Sequence, residues 1–264
     1  LPDAVADGRS AIEAGAFAGR TLREALHADA RAIMGRAHLS AHGRFPLLVK
    51  FLDASEHLSV QVHPTAAFAE ARPGAHLKTE TWLVLHAAPG ARIWRGVKAS
   101  VTREAFERTL RSGGDIVPLL VEERVRAGDC IDLPSGLCHA LGEGLTVAEV
   151  QTPSDTTFRV FDWNRNDPAR PLHVEQAMEC ILFGDAQRLA EQPVTNLAAS
   201  AAAWSDGLRA ATLCANRFFE IEAVEASPAG DAGPLECTVS QVPTVLMVVR
   251  GEGIIESEGL PREP

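Results

Sequence analysis

From Phe45 onward the chain is cut into short runs: "FPLLVKFLDA", "LSVQVHP", "ETWLVLHA", "ARIWRGV", "CIDLP", "LTVAEVQTP" and "TTFRVFDW". They are rich in β-branched and aromatic residues and are separated by Pro, Gly and polar clusters. This punctuation argues against a doubly wound α/β fold and predicts antiparallel strands arranged as a barrel or sandwich. "TREAFERTLRSGG" interrupts them with a helix capped by Thr102 and ending at Gly113 and Gly114. A further helix is expected over "HVEQAMECILFGD", and one or two short helices over Gly19 to Leu39, where Leu22, Leu26, Ala30 and Ile33 recur at helical spacing. The Ala-rich stretch from Glu191 to Trp204 reads as a connection. "FFEIEAVEA", "LECTVSQV" and "TVLMVVRGEGIIES" read as the beginning of a second β unit.

The 264 residues suffice for one large domain or two smaller ones. A hydrophobic fraction of 46% without an apolar run near twenty residues argues against a membrane span. The net charge of -10 counts against a general nucleic-acid binder and means that an anionic substrate needs a local basic pocket. The five cysteines, Cys130, Cys138, Cys180, Cys214 and Cys237, are odd in number and contain no C-x-x-C pair, so neither a disulfide framework nor a zinc ribbon is indicated. A reducing cytoplasm is the expected location, and "LPDAVADGRS" has no secretory pattern. The chain starts without Met and stops just after a strand-like run, so truncation at both ends is expected.

Within the strand texture, "SVQVHP" puts Gln61 and His63 on one strand face and then stops at Pro64. Taken alone, the pair is either a polar edge facing water or a pair aimed inward. Glu80 opens the next apolar run, and Lys78, two residues earlier, shares its face. "GDCIDLPSGLCHAL" places His139 behind a Pro134/Gly136 turn, where the following strand can present it inward. Three separate segments can therefore converge on one ion. Two imidazoles, a carboxylate and an amide oxygen suit Zn²⁺, with Fe²⁺, Co²⁺ or Mn²⁺ as alternatives. Arg159 alternates with Phe158 and Val160, so it faces away from them.

"GDCIDLPSGLCHAL" resembles the second motif of the cupin superfamily, with Glu143 at the place of the usual Asn. The longer string "LSVQVHP…LKTETW…GDCIDLPSGLCHAL…TTFRVFDWNR" resembles the type I mannose-6-phosphate isomerases, especially their short bacterial form, over roughly Arg44 to Arg165. The resemblance implies a mainly β cupin fold, a double-stranded β-helix or jelly-roll barrel, with helical insertions and a partial second cupin-like unit. The corresponding division is 1–173 for the catalytic metal-binding domain with its helical N-terminal segment, 174–205 for a helical connection and 206–264 for the incomplete second unit.

The resemblance further implies one divalent metal, zinc, held by Gln61, His63, Glu80 and His139. Arg159, Lys78, Glu149 and Asp155 are the implied catalytic residues. Ser59 and Arg165 are the implied phosphate-binding pair, with Arg at the place of the more usual Lys. The implied activity is interconversion of mannose 6-phosphate and fructose 6-phosphate through a cis-enediol, with a hexose 6-phosphate as substrate. The alternatives are a sugar-phosphate-binding metal cupin without turnover and a metal-dependent oxygenase, which the lysine and arginine positions disfavour. Glu149 can equally orient a ligand, and Arg159 can pair with Asp155 or Asp162. The remaining histidines, His57 and His173 among them, match no ligand position.

Overall fold

The computed structural model describes residues 10–40, 43–165, 167–200, 203, 205, 207–227 and 241–252. Leu48–Gly233 make one compact unit, and Leu1–Leu47 with Pro234–Pro264 make another. In the larger unit two five-stranded sheets are formed. The first has the order β1 (Leu48–Ala54), β8 (Leu145–Gln151), β3 (Glu80–Ala87), β6 (Asp129–Leu133), β10 (Thr195–Asn196). The second has the order β5 (Leu120–Arg124), β4 (Arg92–Val97), β7 (His139–Leu141), β2 (Val60–Val62), β9 (Phe158–Phe161). Every pairing is antiparallel. Neighbours in space are distant in sequence, as in the cupin jelly roll.

Strand alternation sorts the side chains into two cores. Trp82 and Val84 of β3, Leu145 and Val147 of β8, Ile131 and Leu133 of β6, Ile93 of β4 and Leu141 of β7 meet between the sheets. The polar members of the same inward rows, Glu80, Glu149 and His139, continue the interior beyond this apolar end. A second core covers the outer face of the second sheet. There Val60, Val62, Ala140, Phe158 and Val160 pack under helix α3 (Arg103–Arg111), through Phe106 and Leu110, and helix α4 (Val174–Cys180), through Ala177 and Met178. Each Val, Leu, Phe or Met among them contributes about 1.5–3 kcal/mol when fully buried. Because Val60 and Val62 face that outer core, Gln61 between them faces inward.

Thr102 caps α3 as the sequence predicts, accepting a hydrogen bond from the Ala105 amide at 3.2 Å. The single helix expected over "HVEQAMECILFGD" is instead two, α4 and α5 (Gly184–Ala190), with Ile181 extended between them. Ile181 is buried in the outer core, and the Leu182 amide donates to the Gly136 carbonyl at 2.9 Å. These tertiary bonds replace the helical ones that local propensity favours. The Gln187 side chain of α5 then pairs with Val97 like an extra strand residue, accepting from its amide at 2.7 Å and donating to its carbonyl at 3.0 Å.

The strand expected over "FFEIEAVEA" forms as β12 (Glu220–Ala226), paired with β11 (Leu208–Ala215). The strand expected from Thr244 onward does not form in residues 241–252. Val245, Leu246, Val248 and Val249 stay exposed there, and among the described residues no strand offers the backbone a ladder. The rest of "LECTVSQV", Cys237 included, and the end of "TVLMVVRGEGIIES" lie outside the described residues. The other four cysteines are free and buried.

In the smaller unit, helix α1 (Leu22–Met34) begins with a reciprocal capping box between Thr21 and Glu24 and is kinked at Asp29. Helix α2 (Ala66–Ala71), back in the larger unit, is capped by Thr65 directly after Pro64.

Candidate metal centre

The turn before His139 is closed by the Leu137 amide donating to the Pro134 carbonyl at 3.1 Å. Its third residue, Gly136, has φ +87°, a conformation that costs other residues a steric penalty. A Cβ at Gly136 would lie 2.8–2.9 Å from Leu182, Cys180 and Thr65 atoms. The Gly136 amide also donates to the His63 carbonyl at 3.1 Å, so one glycine fixes both histidine-bearing segments. β2 then pairs Gln61 directly opposite His139.

His63, Glu80 and His139 are at most 1% exposed, and one ligand atom from each lies within 4.8 Å of the others. His139 Nδ1 lies 2.8 Å from the Leu137 carbonyl, to which it donates, leaving a lone pair on Nε2. His63 Nδ1 lies 3.4 Å from Thr157 Oγ1, so its Nε2 is likewise turned inward. His63 Nε2 and His139 Nε2 each stand 3.1 Å from a different Glu80 oxygen. Yet, among the described residues, neither of these two contacts has hydrogen-bond geometry. Buried polar atoms that are close without being bonded to one another have the arrangement of ligands sharing one cation. Gln61 stands beside them, its amide 3.4 Å from His139 Nε2. Rotating that amide by half a turn offers its oxygen instead.

Burial, with Lys78 next in effect, pushes the His63 imidazole down to about 3, which keeps it neutral and able to coordinate. For Glu80, burial alone would raise the pKa, but Lys78 and His63 outweigh it and hold the carboxylate well below its usual range. Lys78, 5% exposed, brings Nζ to 2.7 Å from Glu80 Oε2. Burial opposes its charge, but Glu80 and then Glu149 prevail and raise its pKa. Glu149 is buried on β8 between Lys50 and Trp82, its register partners on the two flanking strands. Lys50 Nζ lies 2.5 Å from Oε1, and Trp82 Nε1 donates to Oε2 at 3.2 Å. Arg159 lies opposite Gln61 on β9, with Nη1 donating to the Pro171 carbonyl at 3.0 Å and a buried Nε that has no hydrogen-bond partner among the described residues.

Residues 4–91 match the family described as phosphomannose isomerase type I, catalytic domain. The chain is 41% identical over 181 residues to a mannose-6-phosphate isomerase of Streptococcus mutans, covering 67% of this chain and 55% of that one. It is 42% identical over 180 residues to a probable mannose-6-phosphate isomerase of Bacillus subtilis, again covering 67% of this chain and 55% of the relative. The crystal structure of the Bacillus subtilis mannose 6-phosphate isomerase superposes with a TM-score of 0.67 at 29% identity, over 80% of this chain and 64% of that one. Over these matched stretches the chain is similar to the type I phosphomannose isomerases. It spans about half the length of the curated relatives it matches.

The remaining residues implied by the phosphomannose isomerase resemblance lie farther along the second sheet. Ser59 is buried just before β2, Arg165 follows β9, and Asp155 is exposed in the loop between β8 and β9. Asp155 is still near enough to Lys78 to help raise its pKa. The sequence reading passed over Lys50, whose signal was a lone lysine on the inward row Lys50–Leu52–Ala54 of an otherwise apolar run. Asp162, expected only as a possible partner of Arg159, is 7% exposed and ion-paired with Arg165 and Arg170 instead.

Burial alone would raise the Asp162 pKa, but hydrogen bonds from Arg170 and Arg165 outweigh it and hold it below the usual 3.8. A carboxylate whose folded pKa is depressed contributes stability that is present above the unfolded value and lost as pH falls through the folded one. The stability advantage of wild type over Asp162→Asn is therefore expected to hold at pH 6 and to shrink below about pH 4. Urea denaturation at several pH values measures it, and an advantage independent of pH would refute the assignment.

Proposed function

We propose that this protein is a metal-dependent aldose-ketose isomerase that interconverts mannose 6-phosphate and fructose 6-phosphate, and that it works in the cytoplasm. The observation that carries the reading is the convergence of His63, Glu80 and His139 beside a buried Lys78, in a chain similar to the phosphomannose isomerases. Zinc held by Gln61, His63, Glu80 and His139 would supply Lewis-acid polarisation of the sugar oxygens.

The chain's own residues supply the rest. Isomerisation removes a proton from C2 of the open-chain aldose, passes through the cis-enediol and returns a proton to C1, while the hydroxyl proton moves from O2 to O1. Glu149, buried and held from both sides by Lys50 and Trp82, is suited to carry the carbon-bound proton. Lys78 and Arg159 offset the negative charge that develops on O1 and O2. Asp155 stands at the rim, where it adds to the field at Lys78. Ser59 and Arg165 anchor the phosphate.

The test is an isomerase assay on metal-loaded protein and on protein stripped with a chelator, with metal content measured by mass spectrometry. Stoichiometric metal and a loss of at least about a hundredfold in rate on stripping, restored by zinc, are expected. Sugar-phosphate binding without turnover by the loaded protein would replace the isomerase with a binding protein. Full activity after complete stripping would remove the metal from the reaction.

A further inference from the structure

Past β9 the chain turns sharply at Trp163 and Asn164, which have φ +54° and +58°. A left-handed conformation is rare for a residue as bulky as Trp. The turn is closed by the Arg165 amide donating to the Asp162 carbonyl at 3.0 Å, and it folds the Arg165 side chain back over Asp162. Arg165 Nη2 reaches Asp162 Oδ1 at 2.7 Å. Arg170 reaches the same carboxylate, with Nε 2.9 Å from Oδ2 and Nη2 3.2 Å from Oδ1. One buried carboxylate therefore holds two guanidinium groups side by side against their mutual repulsion.

Their hydrogen-bonding capacities differ. Arg165 spends Nε on the Asp162 carbonyl, Nη2 on Asp162 and the His57 carbonyl, and Nη1 on Glu56 at 3.1 Å. Arg170 engages Nε and Nη2 with Asp162, whereas its Nη1 makes no bond to a described residue. Glu56 and Asp167, the other carboxylates near the cluster, are exposed, so water screens them. Exchanging Glu56 for a phosphate oxygen would cost Arg165 little. Arg170 also lies on the side of Arg159, whose pKa is lowered first by burial and next by this neighbour.

We propose that Arg170, held beside Arg165 by their shared Asp162, is a further phosphate-binding residue that completes a two-arginine clamp, and that it determines specificity for phosphorylated over unphosphorylated sugar. A phosphate dianion matches the two guanidinium groups and can take the Arg170 Nη1 donors, and those of Arg165 Nη1 in exchange for Glu56. Asp162 is a positioning residue for the clamp.

This inference rests on the sugar-phosphate reading above, and the experiment separates the two. Steady-state kinetics on mannose 6-phosphate and on mannose are compared for metal-loaded wild type, Arg170→Gln and Arg170→Lys, with calorimetry of inorganic phosphate on each. In Arg170→Gln the kcat/KM ratio of mannose 6-phosphate over mannose is expected to fall about tenfold or more, chiefly through KM. The Kd for phosphate should weaken by a similar factor. Arg170→Lys, which keeps the charge without the planar fork, should fall between. A substrate ratio and a phosphate Kd both within about twofold of wild type, or an equal loss on both sugars, would overturn the clamp. If Arg170→Gln does not fold, Arg170→Lys decides by the same criteria. If wild type turns over neither sugar, the isomerase reading fails, and the phosphate Kd of the variants alone decides the clamp.

Discussion

Replacing Glu80 with Gln is expected to abolish stoichiometric metal binding and to lower the proposed isomerase activity by at least about a thousandfold. The substitution keeps the side-chain volume but removes the charge on which His63 Nε2, His139 Nε2 and Lys78 Nζ converge. The residue is fully buried, so no solvent replaces what is lost. Lys78 also forfeits its nearest counter-charge. Removing one partner of a buried ion pair costs about 3–5 kcal/mol, and the nearby Glu149 should keep the loss at the lower end. Three measurements check this: metal content by mass spectrometry, activity, and urea denaturation of chelator-treated wild type and variant. A variant that keeps one metal per chain would contradict the ligand set.

The largest effect on folding by a small substitution is expected from Gly136→Ala, a loss of about 2–4 kcal/mol. The residue needs φ +87°, and its added Cβ would meet Leu182, Cys180 and Thr65 atoms at 2.8–2.9 Å, where two of the three contacts are to the Cys180 carbonyl and a short threonine methyl. None of these can swing aside as the end of a long side chain would. Because the Gly136 amide also holds the His63 carbonyl, metal affinity should weaken along with stability. Urea denaturation of the metal-free variant isolates the folding term. A loss below about 0.5 kcal/mol would mean that the turn relaxes at no cost, and the role given to Gly136 would fall.

The strands and their faces were legible because period-two alternation is a local property. Glu80, Trp82 and Val84 share a face whatever surrounds β3, and His139 follows its turn because Pro134 and Gly136 dictate one. The α3 boundaries were legible for the same reason, since Thr102 and the Gly pair act within a single helical turn. The split between α4 and α5 was not, because the break is enforced by Gly136 and the outer core, far away in sequence.

The site divides in the same way. Sequence alone placed Gln61 with His63, and Lys78 with Glu80, on common faces, but it could not decide between a polar edge and an interior. That choice was made by the outer core claiming Val60 and Val62, and by β7 setting His139 opposite Gln61. Lys50 became meaningful only when β8 brought Glu149 beside it, across 99 residues of chain. Asp162 and Arg170, eight residues apart in an irregular segment, follow no period, so only the folded turn shows that one carboxylate serves two arginines. Periodicity is carried by the backbone of each strand and can be read without partners. Convergence depends on which strands pair, and pairing is settled by the burial of whole faces in the assembled sheets.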